Sequence, residues 1–256
     1  MRLGIQLFGC MKLYNENPDD FLTRLYERGY RVIEPCVSFG DTAIPFAWHA
    51  AGIDAHVQRA AKIGLELDSF HSFAGEFWKL IPEHIAACKQ AGFKRVVLGY
   101  RDAFTREAAD AFSAHVIEFA DALAEQDIDV WLHNSWQEIA AKIDGVSAYE
   151  YILRACSGKL GAQVDTGWVV CGGEDLPEFL RRNEAYVRSI HHKDVGSLLR
   201  SDNTTDNLPL GAGIVDTAAA FAFAKERSLP QLVDQDSSLG DLLDDLAQSA
   251  KYISSL

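Results

Sequence analysis

Six apolar, β-type runs of this chain stop at a group able to bind a metal or carry a proton: Glu34, His71, His133, Asp165, His191 and Asp234. The densest ending reads Ser189-Ile190-His191-His192-Lys193-Asp194. A single ending of this kind is ordinary, and one histidine at a strand end is more often a hydrogen-bonded structural residue. Six of them, separated by helix-like stretches, suggest a ring of polar groups at one mouth of a barrel. Carboxylates and imidazoles gathered there are costly to bury unless a cation neutralises them. One divalent metal ion resolves that cost. The donor set suits Mn²⁺, Mg²⁺ or Co²⁺, with Zn²⁺ also admitted, better than a thiolate-selecting site would.

The elements that must hold these groups alternate. Strands are expected at 3–8, 30–36, 66–71, 95–99, 129–134, 160–165, 187–192 and 230–234, with helical patterns between them. The clearest helix runs from Thr105 to Gln126, where Ala108, Phe112, Val116, Phe119 and Leu123 recur at three- and four-residue spacing. Helix-to-strand joints fall at 27–30, 62–65, 90–93, 125–128 and 227–230, the first three with the glycine that suits a left-handed helix end, and Asn17-Pro18-Asp19-Asp20 opens a helix with a cap and two acids. Val96-Val97-Leu98 and Val130-Trp131-Leu132 are apolar on both faces, as parallel strands buried under helices must be. Eight such units in 256 residues predict an α/β fold, a (β/α)₈ TIM barrel, as a single domain over 1–256. No Gly-x-Gly-x-x-Gly follows the first strand and no phosphate-loop Gly-Lys-Ser/Thr occurs, which disfavours a nucleotide fold.

With 24 basic against 37 acidic side chains the net charge is −13, a balance that repels phosphate backbones and excludes nucleic acid as the expected partner. No apolar run approaches the roughly 20 residues that span a bilayer, and the start reads as a strand rather than a signal peptide. The five cysteines are odd in number and form no C-x-x-C pair, so they are expected to be reduced thiols of a cytoplasmic protein.

Five motifs, in order, resemble the xylose isomerase-like sugar phosphate isomerase/epimerase barrels over almost the whole chain. They are Leu132-His133-Asn134-Ser135-Trp136-Gln137-Glu138, Val164-Asp165-Thr166-Gly167, Ile190-His191-His192-Lys193-Asp194, Gly211-Ala212-Gly213-Ile214-Val215-Asp216 and Val233-Asp234-Gln235-Asp236. The resemblance implies a metal held by Glu138, Asp165, His191 and Asp234, with His133 as the substitute should Glu138 point away. It implies a metal-dependent isomerase or epimerase acting on a small-molecule sugar, keto-sugar or polyol. The implied chemistry is proton transfer beside a carbonyl through an enediolate, with Glu138 and Asp234 as the acid/base pair. Homo-oligomers are common in such families.

Three positions depart from the family pattern. Asp234 stands where Glu is usual, Trp168 three residues after the strand-six Asp replaces a His, and Ser135 replaces the second His of the strand-five motif. Alternatives therefore stay open: an inosose dehydratase-like lyase, a keto-sugar hydrolase, or a catalytically altered sugar-binding protein. A DNA-repair endonuclease on this barrel would need more metal-binding residues and a basic face. Glu34, His71, His133, Trp168 and Lys193 are the expected substrate contacts. His192 alternates away from His191 and is expected to pack. Segment 196–208 reads as a mobile polar loop carrying Arg200.

Overall fold

The expected strands pair edge to edge in a closed circuit. In a computed structural model describing residues 2–40, 44–100, 102 and 104–256, β1 (Leu3–Gln6) pairs in parallel with β2. β2 (Tyr30–Glu34, resuming as Cys36–Ser38) pairs with β3 (Glu66–Leu67, resuming as Ser69–Phe73). The circuit continues through β4 (Arg95–Gly99), β5 (Asp129–His133), β6 (Gly161–Asp165), β7 (Val187–His192) and β8 (Gln231–Val233). β8 pairs back onto β1, so the sheet is a TIM barrel with no free main edge.

Two strands are interrupted where the expected runs are continuous. Pro35 has no amide hydrogen to give to the ladder, so β2 stops and restarts around it, while its carbonyl still accepts from His71 N at 2.9 Å. β3 is also interrupted, at Asp68, whose carbonyl accepts from Lys94 N at 2.8 Å, and it then runs on to Phe73, which leaves His71 inside the strand rather than at its end.

The main helices are α1 (Pro18–Glu27), α2 (Ile53–Ile63), α3 (Ile81–Ala91), α4 (Arg106–Ala124), α5 (Ala148–Ala155), α6 (Leu176–Arg182), α7 (Thr217–Glu226) and α8 (Leu242–Ser254). Their starts are capped: Asn17 accepts from Asp20 N and Thr105 from Ala108 N, both at 3.2 Å. All five expected joints pass through a left-handed residue, glycine at three of them and Asp127 and Ser228 at the others. α4 buries Val116, Phe119 and Leu123 completely, while at its N-terminal end Ala109 and Ser113 are the buried residues and Phe112 packs partly buried against Phe77 and Tyr100. The stripe drifts by one residue because a 3.6-residue turn does not keep a seven-residue repeat in line. Fully burying a ring such as Phe119 contributes roughly 1.5–3 kcal/mol.

Segment 196–208 is organised rather than a free loop. Asp194–Val195 and Asn207–Leu208 pair as antiparallel strands, and Arg200 is tied to Asp206. No helix among the described residues is long and apolar enough to cross a membrane.

Candidate metal and active site

Strand alternation sorts the polar groups. On β7, Ser189, His191 and then Lys193 share one parity, while His192 points the other way. His192 is buried, its Nε2 lies 2.8 Å from Gln231 Oε1, and burial pushes its pKa down to about 4 despite that contact. It packs, as expected.

Inside the mouth, Glu34 sits at the centre of a buried network. Its Oε1 lies 3.0 Å from His71 Nε2 and 2.9 Å from His191 Nε2, and its Oε2 accepts from Gln163 Nε2 at 3.0 Å and from Ser69 Oγ. Burial alone would raise the Glu34 pKa, yet the two imidazoles hold it well below the usual carboxylate range. His191 bridges onward, its Nδ1 3.0 Å from Asp234 Oδ2. Burial disfavours its charged form, but Glu34 and Asp234 outweigh that and raise its pKa to about 10.

The next layer joins β5, β6 and β8. His133 Nε2 lies 3.6 Å from both Asp165 Oδ2 and Asp234 Oδ2, and its pKa is raised against burial by those carboxylates. Lys193, 1% exposed, places Nζ 3.1 Å from Asp165 Oδ2, 3.3 Å from Asp234 Oδ2 and 2.7 Å from Asp236 Oδ2. Asp165 divides its oxygens: Oδ1 accepts from Trp168 N at 2.9 Å and caps the short helix Thr166–Cys171, which leaves Oδ2 for the site. Asn134 fixes this carboxylate's backbone, accepting from Asp165 N at 2.9 Å and donating to Asp165 O at 3.2 Å.

His133, Asp165, His191 and Asp234 each offer one donor atom, all within 4.8 Å of one another. Glu34 Oε1, His133 Nε2, Asp165 Oδ2, His191 Nε2 and Asp234 Oδ1 are buried without an aligned hydrogen-bond partner, although several are close in distance. Buried polar atoms left unsatisfied in one cluster are what a cation site requires. Two imidazoles and two carboxylates from four successive strands fit a divalent ion.

Glu138, expected as a ligand, lies outside that group. Ser135 N donates to its Oε1 at 3.2 Å and Ser135 Oγ to its Oε2, so the carboxylate closes the first turn of the helix Trp136–Ala140. Burial raises its pKa, with the Ser135 hydrogen bonds acting the other way. The Ser-x-x-Glu spacing at 135–138 was the local signal for this capping. His133 takes the strand-five place. Asp234, expected as half of an acid/base pair, is held well below the carboxylate range: burial opposes this, but Lys193, His133 and His191 prevail. An acid so strongly ionised is a poor proton carrier near neutrality.

Lys193 pairs with Asp236 rather than Asp194. The Asp194 carboxylate instead accepts from Gly211 N and Gly213 N at 2.9 Å and from Val215 N at 3.1 Å, which explains the Gly-x-Gly spacing. A Cβ on Gly213 would come within 2.2 Å of Asp194 Oδ1. Asp236 and Asn134, both within the motifs read from sequence, complete the site together with Gln163, which was not singled out. Gln163, two residues before Asp165 on the same strand face, was reachable by alternation alone.

Above this floor opens a cavity of about 530 Å³, in the size range of small-molecule sites. His71, His133, Lys193, Asp234 and Asp236 line its base, Glu138 one side, and Phe8, Phe73, Tyr100, Phe104, Trp136 and Trp168 the walls. All five cysteines are unpaired, and burial raises the Cys171 thiol to about 11, which leaves it unreactive near neutrality.

The Glu34–His191 pair has a pH signature in the metal-free protein. The raised His191 pKa stabilises the fold fully below its ordinary value of 6.5, and this contribution fades as pH climbs toward about 10. The depressed Glu34 pKa contributes only above its ordinary 4.5. The melting temperature in chelator should therefore peak between these ordinary values and decline from pH 7 to 10, with His191→Gln flattening that decline. A level wild-type profile over pH 7–10 would contradict the assignment.

Residues 22–233 match the model of the xylose isomerase-like TIM barrel family. No curated protein matches the chain. Solved structures match it along nearly their whole length. A sugar phosphate isomerase/epimerase from Parabacteroides distasonis ATCC 8503 superposes with a TM-score of 0.79 at 17% identity, covering 100% of this chain and 96% of its own. The probable 3-DHS dehydratase AsbF from Bacillus anthracis gives 0.72 at 13%, covering 99% of each. A xylose isomerase-like TIM barrel protein from Mycobacterium smegmatis in complex with magnesium gives 0.66 at 18%, covering 93% of this chain and 87% of its own. At these identities the likeness is one of fold.

Proposed function

The chain belongs to the xylose isomerase-like TIM barrel family, and from that premise we propose that it is a metal-dependent isomerase or epimerase of a sugar, keto-sugar or related polyol. The observation that carries this reading is the buried tetrad of His133, Asp165, His191 and Asp234 at the floor of a cavity with aromatic walls. The magnesium found in the Mycobacterium smegmatis relative supports the same use of the fold. His133, Asp165, His191 and Asp234 would hold a divalent ion, which would supply Lewis-acid polarisation of a carbonyl and so acidify the C–H beside it.

The chain's own groups supply the rest. Glu138, buried and raised in pKa on the cavity wall, takes that proton and returns it, so that the substrate passes through an enediolate. His71, oriented by Glu34 and Gln163, meets substrate hydroxyls. Trp168 and the phenylalanines offer flat apolar faces to a sugar ring and exclude water. Lys193 completes the floor beside the reacting atoms. We read the 256 residues as one barrel domain acting in the cytoplasm, where five unpaired thiols stay reduced.

Incubation with a panel of ketoses and keto-sugars in D₂O tests the reading. Deuterium should enter the carbon beside the carbonyl, and only when Mn²⁺, Mg²⁺ or Co²⁺ is supplied to chelator-stripped protein. No exchange across the panel would favour a sugar-binding role instead.

A further inference from the structure

The tetrad already has a cation on it. Lys193 Nζ lies 3.1 Å from Asp165 Oδ2, the one oxygen that residue has left after capping the Trp168 amide, and 3.3 Å from Asp234 Oδ2. Four buried or half-buried carboxylates (Glu34, Asp165, Asp234 and Asp236) face this ammonium and the imidazoles, so the cluster is largely neutralised by the chain itself. The lysine is also seated. Its stem crosses Gly167 so closely that a Cβ there would come within 2.8 Å of Lys193 Cγ, and its ammonium stands 4.9 Å from the centre of the Trp168 ring. Lys193 N and O both bond Thr166 Oγ1, at 2.9 and 2.8 Å.

We propose that Lys193 is a built-in competitor for the metal position: its ammonium and a divalent ion take the Asp165 carboxylate in turn, and Asp236 retains the ammonium when the ion enters. Asp236 suits that part because it is the nearest partner, at 2.7 Å, lies outside the tetrad and is partly open to the cavity, with a quarter of its side chain exposed. The consequence is a fold that stands without metal and a site whose metal affinity is held down by one lysine. The inference rests on the metal-site reading above and concerns occupancy rather than turnover.

Calorimetric titration of chelator-stripped protein with Mn²⁺, paired with melting curves, tests it. Lys193→Met should bind Mn²⁺ roughly 5- to 150-fold more tightly than wild type, the usual span of coupling between two ligands of one site. It should melt lower than wild type in chelator and recover when Mn²⁺ saturates. Asp236→Asn, which keeps the fold's lysine but removes its alternative seat, should bind Mn²⁺ more weakly. Equal Mn²⁺ affinity in wild type and Lys193→Met overturns the proposal and leaves the metal-site reading standing. Tight binding by Lys193→Met with none by wild type supports the proposal and overturns metal dependence of the native enzyme. No uptake by either variant or wild type overturns both. Should Lys193→Met fail to fold even with Mn²⁺, unchanged affinity in Asp236→Asn overturns the proposal.

Discussion

His191→Ala should strip the protein of bound metal and, in chelator, lower its melting temperature by about 10 °C. The imidazole is the wedge between two buried acids, 2.9 Å from Glu34 Oε1 and 3.0 Å from Asp234 Oδ2. Without it these carboxylates face each other across a cavity, the situation in which removing one partner of a buried pair costs about 3–5 kcal/mol. For a chain of this size each kcal/mol lowers the melting temperature by about 2–4 °C. Losing one of four donors should also weaken metal binding by at least ~100-fold, the upper end of what loss of a mere supporting partner costs. His192→Ala is the matched control, since the His192 side chain bonds Gln231 on the opposite face of the strand, and its contact with Asp234 N, at 3.0 Å, is made by the backbone carbonyl that the substitution keeps. It should cost stability and leave metal content intact. Stoichiometric metal and an unchanged melting point in His191→Ala would sink the assignment of this residue.

Glu138→Gln should slow solvent-deuterium exchange by about 10²- to 10⁴-fold, the usual loss on removing a general acid or base. Metal content and melting temperature should stay near wild type. A glutamine amide oxygen still accepts from Ser135 N, so the helix turn stays closed, and the tetrad does not include this residue. Ser135→Ala supplies the complementary result. The Ser135 hydroxyl and amide favour the ionised carboxylate against a burial that favours the neutral one. Removing the hydroxyl raises the Glu138 pKa further, so the acidic limb of the pH–rate profile should move to higher pH. Exchange that survives in Glu138→Gln would transfer the proton-carrying role elsewhere.

The barrel was legible in the residues because both its signals are local. Apolar runs of strand length marked all eight strands, although β2 and β3 run on past Glu34 and His71, and glycine marked three of the five joints. Alternation also separated His191 from His192 correctly, since parity on a strand decides which wall a side chain meets. What parity cannot decide is which of two nearby needs a carboxylate serves. Glu138 has the right position for the floor, but Ser135 lies three residues before it, and the nearer partner wins the carboxylate. Lys193 shows the opposite limit. Its three partners, Asp165, Asp234 and Asp236, lie on β6 and just beyond β8, and nothing local to Lys193 announces them. The interruption at Pro35 was readable in principle, whereas the break at Asp68 depends on how β3 must bend to meet both halves of β2.

The division of labour around the bore has a consequence for how the molecule assembles. All four tetrad residues come from β5 to β8, the second half of the chain, while Glu34, Ser69 and His71 come from β2 and β3 in the first half. Glu34 meets Gln163 across 129 residues and His191 farther still. As the chain emerges from the ribosome, the first half therefore carries Glu34 with His71 and Ser69 beside it, but without His191 and Gln163. That acid stays hydrated until the later strands arrive, because burying it with half of its partners missing is costly. Ring closure and dehydration of Glu34 are thus one event, late and long-range, and no half-barrel can be a stable stopping point with its core sealed.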